Sequence, residues 1–385
     1  MVYIHVCKEG EFIIPVYNCL SLFLLNIYLY NKNNNYMLAN KVRELPNFAN
    51  LGRQVNLGKQ ANLPNVDRQG QKPAMKPKQV LGTEFSYDIG KFLGNGSFGA
   101  TYKAINTDPA TGNRTNVAIK FIFPVSGESG MTQGLREVQN YMEVAGIANA
   151  NGITKISCQR NLLCFHAAGE ITSRDPSYKF VFDLLTSVYK TLGRRKPLDT
   201  KLPIIYIVTD FLEGDDLSKL IKDGFKVSDA EARNFLSDML YALQYLHKRR
   251  IAHRDVKPEN IIRTKDGNYV LIDFGIVCAT DLCQVHGTLF YLTNEILMLS
   301  DAGSFVPLQM SCAGDIFALG LSLYEFINRK RLHIPRLKNY IFKSTDLPIL
   351  DTKSKFINDV YENLIFNYDY IVNDPTSIPS LLKLL

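Results

Sequence analysis

Two short polar motifs, separated by one apolar run, constrain this 385-residue chain more than anything else in it. The first is His253-Arg254-Asp255-Val256-Lys257-Pro258-Glu259-Asn260. The second, Asp273-Phe274-Gly275, directly follows Tyr269-Val270-Leu271-Ile272, which reads as a buried strand. Any one of these acids alone could be a helix cap or a turn residue. Their joint spacing is the informative part. It asks for a fold that brings a proton-accepting carboxylate and a metal-holding carboxylate to one place.

Upstream lie the remaining parts of such a centre. Gly94-Asn95-Gly96-Ser97-Phe98-Gly99 sits between two strand-like runs. Glycines let a backbone approach phosphate oxygens and donate N–H bonds without a side-chain clash. A strand rather than a helix follows, which disfavours a dinucleotide fold. In Val117-Ala118-Ile119-Lys120 a lysine points inward from an apolar strand, which is costly without partners. Phosphates and an acid would supply them. Glu137, on the next helix, is the first candidate and Glu143 the second. Phosphoryl transfer from ATP needs gripped phosphates, a held metal, a placed hydroxyl and offset charge. Here Asp255 can orient the hydroxyl, Lys257 can offset charge, and Asn260 and Asp273 can ligate magnesium.

With these residues the sequence resembles the eukaryotic protein kinase family, serine/threonine type, as a divergent member. The resemblance covers about 300 residues from Tyr87 onward. It implies an α+β bilobal fold, a small β-rich N-lobe with one helix and a larger, mainly helical C-lobe. It implies ATP and Mg²⁺ as cofactors and protein substrates with a serine or threonine acceptor. By resemblance the phosphate loop includes Thr101. Asp210 and Leu212 belong to the hinge with Thr209 behind the adenine, Ala118 and Ile262 sandwich the adenine, and Asp216 contacts the ribose. Asp315 would anchor the catalytic loop. Lys257 and Gly287-Thr288 are the family's marks of serine/threonine specificity.

Departures from the family pattern carry their own expectations. Thr293-Asn294-Glu295 replaces Ala-Pro-Glu, and Ile378 stands where an arginine normally pairs with that Glu. An unpaired buried carboxylate costs on the order of 3–5 kcal/mol, so Glu295 is expected to turn to solvent rather than use Lys383. On that footing Ile378→Arg would stabilise by roughly 1 kcal/mol. Between residues 276 and 285 there is one hydroxyl, Thr280, and one acid, Asp281. Activity without loop phosphorylation is therefore expected, with Asp281 or a solvent-exposed Arg254 substituting for the phosphate.

Short aliphatic and aromatic runs at residues 87–93, 101–105, 117–123, 162–168 and 204–211 read as strands. Residues 132–145, 229–248 and 313–328 read as helices, the second opened by Ser228 with Glu231 three residues on. The domain is placed at residues 86–385, with an N-lobe at 86–211, a C-lobe at 212–385 and a surface insertion at 172–201. Residues 37–85 are rich in Asn, Gln, Gly, Pro and Lys and read as a disordered basic linker. Residues 1–36 form an apolar extension. Within it residues 12–30 are long enough for a membrane anchor, with Lys32, Lys41 and Arg43 keeping the kinase cytosolic. A loosely docked extension, or synthesis starting at Met37, are the other readings of that stretch.

Lys and Arg number 44 against 37 Asp and Glu, a spread-out excess that predicts no specific nucleic-acid partner. The seven cysteines show no Cys-x-x-Cys pair and no metal-like cluster, which favours a reducing, cytoplasmic location. A monomer is expected. The alternative to an active kinase is a kinase-like scaffold that binds nucleotide with weak or no catalysis. The presence of every member of the catalytic set discriminates against it.

Overall fold

Two β-strand faces with separate apolar partners organise the first part of the molecule. The computed structural model describes residues 80–82, 85–96, 98–108, 111–126, 132–146, 158–194, 196–299, 304–331, 349–373 and 377–385. Strands β1 (Val80–Gly82), β2 (Phe85–Asn95), β3 (Gly99–Thr107), β4 (Arg114–Ile122), β5 (Phe165–Ile171) and β6 (Ile204–Asp210) form one sheet in the order β1-β2-β3-β4-β6-β5. All its pairings are antiparallel. Helix α1 (Gln133–Val144) lies on one face and α2 (Tyr178–Thr191) on the other.

The alternation along the strands decides which residues meet which helix. On β6, Ile205 and Ile207 share a core with Val138, Tyr141 and Met142 of α1. Ile204, Tyr206 and Val208 share a second core with Tyr178, Val181, Leu185 and Val188 of α2. On β4, Ile122 belongs to the first core and Val117, Ile119 and Phe121 to the second. Lys120 has the parity of Ile122 and therefore faces α1.

The second part is mainly helical. It comprises α3 (Leu217–Lys222), α4 (Asp229–Lys248), α5 (Asn294–Met298), α6 (Leu308–Asn328), α7 (Lys355–Phe366), α8 (Tyr368–Asn373) and α9 (Ser377–Leu384). Small sheets of β7 (Gly214–Asp216), β8 (Ile261–Thr264) and β9 (Tyr269–Leu271), and of β10 (Leu282–Gln284) with β11 (Phe305–Pro307), complete it. Helix α6 is long and apolar enough to cross a membrane, yet 89% of that window is buried as the centre of this lobe. Ser228 caps α4 as expected, its Oγ accepting the Glu231 N–H at 3.1 Å. The core around α1 continues through Leu271 and Phe274 into α4, α6 and α7, so the two lobes share one apolar interior.

Four sequence expectations need correction. Strand β1 pairs with β2 inside the stretch assigned to the linker, because Val80 and Leu81 extend the sheet by one antiparallel rung set. The rest of that linker up to residue 79, and residues 1–36 with their anchor segment 12–30, lie outside the described residues. Helix α6 begins at Leu308, five residues earlier than expected. Residues 172–201 are not surface embellishment. Tyr178, Val181, Leu185 and Val188 recur at helical spacing and are all buried against the sheet. The Tyr178 hydroxyl reaches the carbonyl oxygens of Thr200 and Leu202, both at 3.0 Å. Finally, Ile378 is 7% exposed within the main core, so it is a packing residue and no vacancy for a cation. Glu295 is exposed, as expected, and accepts a hydrogen bond of 2.9 Å from the Tyr368 hydroxyl.

These placements set stabilities. Leu185→Ala should lower the unfolding free energy by about 2–4 kcal/mol, whereas Lys179→Ala on the exposed side of α2 should change it by less than about 0.5 kcal/mol. Ile378→Arg should destabilise, by about 1–3 kcal/mol, and Glu295→Gln should be nearly neutral. Denaturant titration of the four variants checks this. A neutral Leu185→Ala would show that α2 is not docked on the sheet.

Candidate active site

Lys120 leaves β4 on the α1 side and meets Glu137 at 2.5 Å. Glu137, not Glu143, is thus the partner; it is 0% exposed. Asp273 Oδ1 stands 3.9 Å from the same ammonium. Burial works against the charge on Lys120, but the carboxylates of Glu137 and Asp273 outweigh it and hold the lysine above its ordinary pKa. Burial also pushes the Glu137 carboxyl up, against the pull of Lys120. A lysine–carboxylate hydrogen bond of this kind is charge-assisted. Lys120 lowers the pKa of Asp273 against the opposing effect of burial, and the Gly275 N–H, 3.1 Å from Asp273 Oδ1, adds to the lowering.

Helix α1 holds the Asp273 turn by polar contacts as well. Asn140 Nδ2 donates to the Phe274 carbonyl at 2.9 Å, and Gln133 Nε2 to the Gly275 carbonyl at 3.1 Å. Phe274 is fully buried between Tyr141 and His253, with ring centroids at 5.1 and 5.7 Å. Asp273 adopts φ +64° and Arg254 φ +69°, conformations that side-chain-bearing residues take only when their surroundings enforce them.

The catalytic loop is pinned by Asp315, 1% exposed on α6. Its Oδ2 accepts the His253 N–H at 2.8 Å and its Oδ1 the Arg254 N–H at 2.7 Å. His247 Nε2 lies 3.0 Å from Oδ2. Asp255 then projects forward. Its Oδ2 accepts from Lys257 Nζ at 2.6 Å and from Asn260 Nδ2 at 2.8 Å. Its Oδ1 accepts from the Thr288 hydroxyl at 2.8 Å, and Lys257 Nζ reaches the same hydroxyl oxygen at 2.9 Å. The Ile272 N–H donates to the Asn260 carbonyl at 2.9 Å, which sets Asn260 beside the residue preceding Asp273.

The glycine loop leaves space where a nucleotide would need it. A Cβ on Gly94 or Gly96 would meet nothing within 4 Å, whereas one on Gly99 would lie 2.3 Å from the Phe121 carbonyl oxygen. Gly99 therefore serves strand packing, and Gly94 and Gly96 keep a face open. The Gly96 N–H closes the loop onto the Gly99 carbonyl at 3.0 Å. Asn95 is exposed, Phe98 half-buried, and Ser97 lies outside the described residues. Thr101 pairs with Lys120 in the sheet, and Ala118 with Thr209. Asp210 and Leu212 flank Phe211, over whose ring Lys103 Nζ sits at 4.3 Å from the centroid. Ile262 pairs with Asp216 across β7 and β8. Asp216 caps α3, its Oδ1 accepting the Lys219 N–H at 2.9 Å, so a helix-capping role accounts for one of its oxygens.

The donor set fits a metal-bound nucleoside triphosphate. Glu137 Oε2 is buried with no hydrogen-bond partner among the described residues. The Asn260 amide spends its N–H₂ on Asp255 and keeps its oxygen available, and Asp273 remains 43% exposed on its side chain. Oxygen donors of this kind suit magnesium.

Comparison with known proteins agrees with this geometry. A family model described as Protein kinase domain matches residues 197–362. The chain is 36% identical over 126 residues to a cGMP-dependent protein kinase of Plasmodium berghei, covering 32% of this chain and 14% of that protein. It is 27% identical over 213 residues to a putative serine/threonine-protein kinase of Mycoplasma genitalium, 48% of this chain and 54% of that protein. It is 28% identical over 251 residues to a serine/threonine-protein kinase of Nostoc sp., 64% of this chain and 37% of that protein. The chain spans less than two thirds of the length of each of these relatives. The described residues form an α+β, bilobal fold, and its larger lobe, with the end of the smaller one, is similar over residues 197–362 to the protein kinase domain, as known serine/threonine-protein kinases are over their aligned parts.

Three contributors were not among the expected site residues. Thr288, noted only as part of a family mark, bridges Asp255 and Lys257. Gln133 and Asn140 hold the Asp273 turn, and their spacing from Glu137, four residues before and three after, puts all three on one face of α1. That spacing was the available signal. Two expectations about Arg254 fail. It is neither solvent-exposed nor paired with Asp281, which binds Arg250 instead. Arg254 donates to the carbonyls of Ile276 at 2.6 Å, Val277 at 3.3 Å and Gln284 at 2.5 Å. Burial lowers its pKa to about 10, Asp315 opposing and Arg136 reinforcing the shift.

Backbone carbonyls thus occupy the guanidinium that would otherwise call for a phosphate. The only hydroxyl between residues 276 and 285, Thr280, already donates to the Leu282 carbonyl at 2.9 Å. Thr280→Ala and phosphatase treatment should each leave the transfer rate on a peptide unchanged. A loss of activity on phosphatase treatment, with Thr280 found phosphorylated beforehand, would show that the carbonyls do not suffice.

Proposed function

We propose that the chain is an ATP-dependent protein serine/threonine kinase. The observation that carries the proposal is the convergence on Asp255 of Lys257, Asn260 and an aliphatic hydroxyl, opposite the Lys120–Glu137–Asp273 group. When bound, Mg·ATP supplies the transferred γ-phosphoryl group. Lys120, held by Glu137, would grip phosphate oxygens. Asp273 and Asn260 would hold the metal, and the loop at Gly94 and Gly96 would let backbone N–H groups approach the phosphates. Asp255 Oδ1 accepts a hydrogen bond from the acceptor hydroxyl and takes its proton. With Mg·ATP bound, the acceptor oxygen would take the γ-phosphoryl group, with ADP as the leaving group. Lys257 offsets charge on the group in transit.

Ala118, Ile262, Leu212 and the Asp210 backbone line the adenine position in this reading, and Asp216 offers its free oxygen to the ribose. The proposal keeps the enzyme monomeric and cytoplasmic, and it extends to membrane association through residues 12–30 only as a property of sequence composition. Asp255→Asn keeps the shape but removes the proton acceptor. Turnover on a serine peptide should fall by about 100- to 10,000-fold while nucleotide affinity stays close to that of the parent. Radiolabel transfer and a fluorescent-nucleotide titration measure the two. Near-normal turnover in Asp255→Asn would contradict the assigned role.

A further inference from the structure

The corner where β5 meets the end of β6 carries chemistry that phosphoryl transfer does not use. A Cys164 sulfur, a His166 ring nitrogen and an Asp210 carboxylate oxygen all lie within 4.8 Å of one another. Among the described residues this is the one place where three potential metal-ligating side chains gather so closely. His166 Nε2 stands 2.6 Å from Asp210 Oδ1. Cys164 is joined to Cys158 in a disulfide, with Cα atoms 5.0 Å apart, so a second sulfur lies directly beside the first.

The backbone is built to produce this convergence. In the pairing of β5 with β6, Phe165 opposes Thr209 and Ala167 opposes Val208, which leaves His166 as an extra residue. Such a bulge turns a side chain away from its regular alternation and is a recurrent device beside functional sites. The Asp210 N–H donates to the Cys164 carbonyl at 3.1 Å, locking the first residue of the hinge to the start of β5. Cys164 is 4% exposed, whereas the side chains of His166 and Asp210 are 41% and 47% exposed. An apolar floor and an open polar rim give a hydrated ion a way in.

Two sulfurs, one imidazole and one carboxylate match the donor preferences of zinc at tetrahedral coordination. We propose that, once the Cys158–Cys164 disulfide is reduced, this corner binds one zinc ion through Cys158 Sγ, Cys164 Sγ, His166 and Asp210. Reduction by a dithiol transfers two electrons and two protons, opening the S–S bond and converting the dithiol to its cyclic disulfide. Zinc then displaces the two thiol protons and forms two Zn–S bonds. The disulfide and the zinc thiolate are alternative clasps for the same strand corner, each tying residue 158 to β5. Zinc would add a bond from both sulfurs to the hinge through the Asp210 carboxylate.

Cobalt(II) titration of the reduced full chain, followed by zinc competition, tests the site. One equivalent of cobalt should bind with a thiolate-to-cobalt absorption band in the near ultraviolet, and zinc should abolish the band. Cys164→Ser should remove the band. His166→Ala, at an exposed position, should weaken binding by about tenfold or more, at least the loss that outer-shell partners of metal ligands give. The Cys278→Ser/Cys283→Ser double variant should bind as the parent does, since those sulfurs lie in another cluster. In parallel, zinc should protect Cys158 and Cys164 of the reduced chain from alkylation, read by peptide mass spectrometry. No cobalt band in the reduced parent, a band untouched by both Cys164→Ser and His166→Ala, or equal alkylation with and without zinc would each overturn the assignment.

Discussion

The Asp315 carboxylate is buried in the most apolar helix among the described residues, and the geometry around Asp255 follows from how it is met. Burying a carboxylate costs several kcal/mol unless hydrogen bonds to it are well placed. Two successive backbone N–H groups, from His253 and Arg254, supply them, with His247 alongside. Directing both at one carboxylate accompanies the positive φ of Arg254. That turn sends the Asp255 side chain forward to Lys257, Asn260 and Thr288, and the Arg254 side chain backward to the carbonyls of the following segment. One buried carboxylate therefore orders Asp255 and the loop behind it together.

The second constraint is the Lys120–Glu137 pair. It exists only if β4 and α1 are docked, and Asp273 joins it only if the turn at Phe274 is held against α1. Tyr141, Phe274 and His253 form the apolar side of that arrangement, and Asn140 and Gln133 the polar side. The sheet carrying Lys120 is covered on its other face by α2, so both sides of β4 and β6 are packed.

Much of this was legible in the sequence, for physical reasons that differ by element. The catalytic loop and the Asp273 turn were legible because their chemistry requires fixed residue types at fixed spacing. Lys120 and Glu137 were legible because a buried lysine needs a buried acid. Helix α4 was legible to its ends because Ser228 caps it and its apolar spacing is regular. Helix α2 was missed as a structural element: its apolar face is clear at 178, 181, 185 and 188, but nothing local says that the outer face of the sheet awaits it. Ile378 was misjudged because its surroundings are assembled from distant helices. The His166 bulge and the pairing of Cys158 with Cys164 and Cys278 with Cys283 depend on strand register, which spacing alone does not encode.

Transfer to a substrate hydroxyl, with Asp255 as the proposed proton acceptor, is what separates a serine/threonine kinase from a nucleotide-binding scaffold of the same shape. The most direct measurement is phosphoamino-acid analysis after single-turnover transfer from γ-labelled Mg·ATP to paired peptides differing only in serine, threonine or tyrosine at the acceptor. The proposed function predicts phosphoserine or phosphothreonine, formed in proportion to ADP, and no phosphotyrosine. Nucleotide binding with no labelled peptide, or label confined to tyrosine, would contradict it.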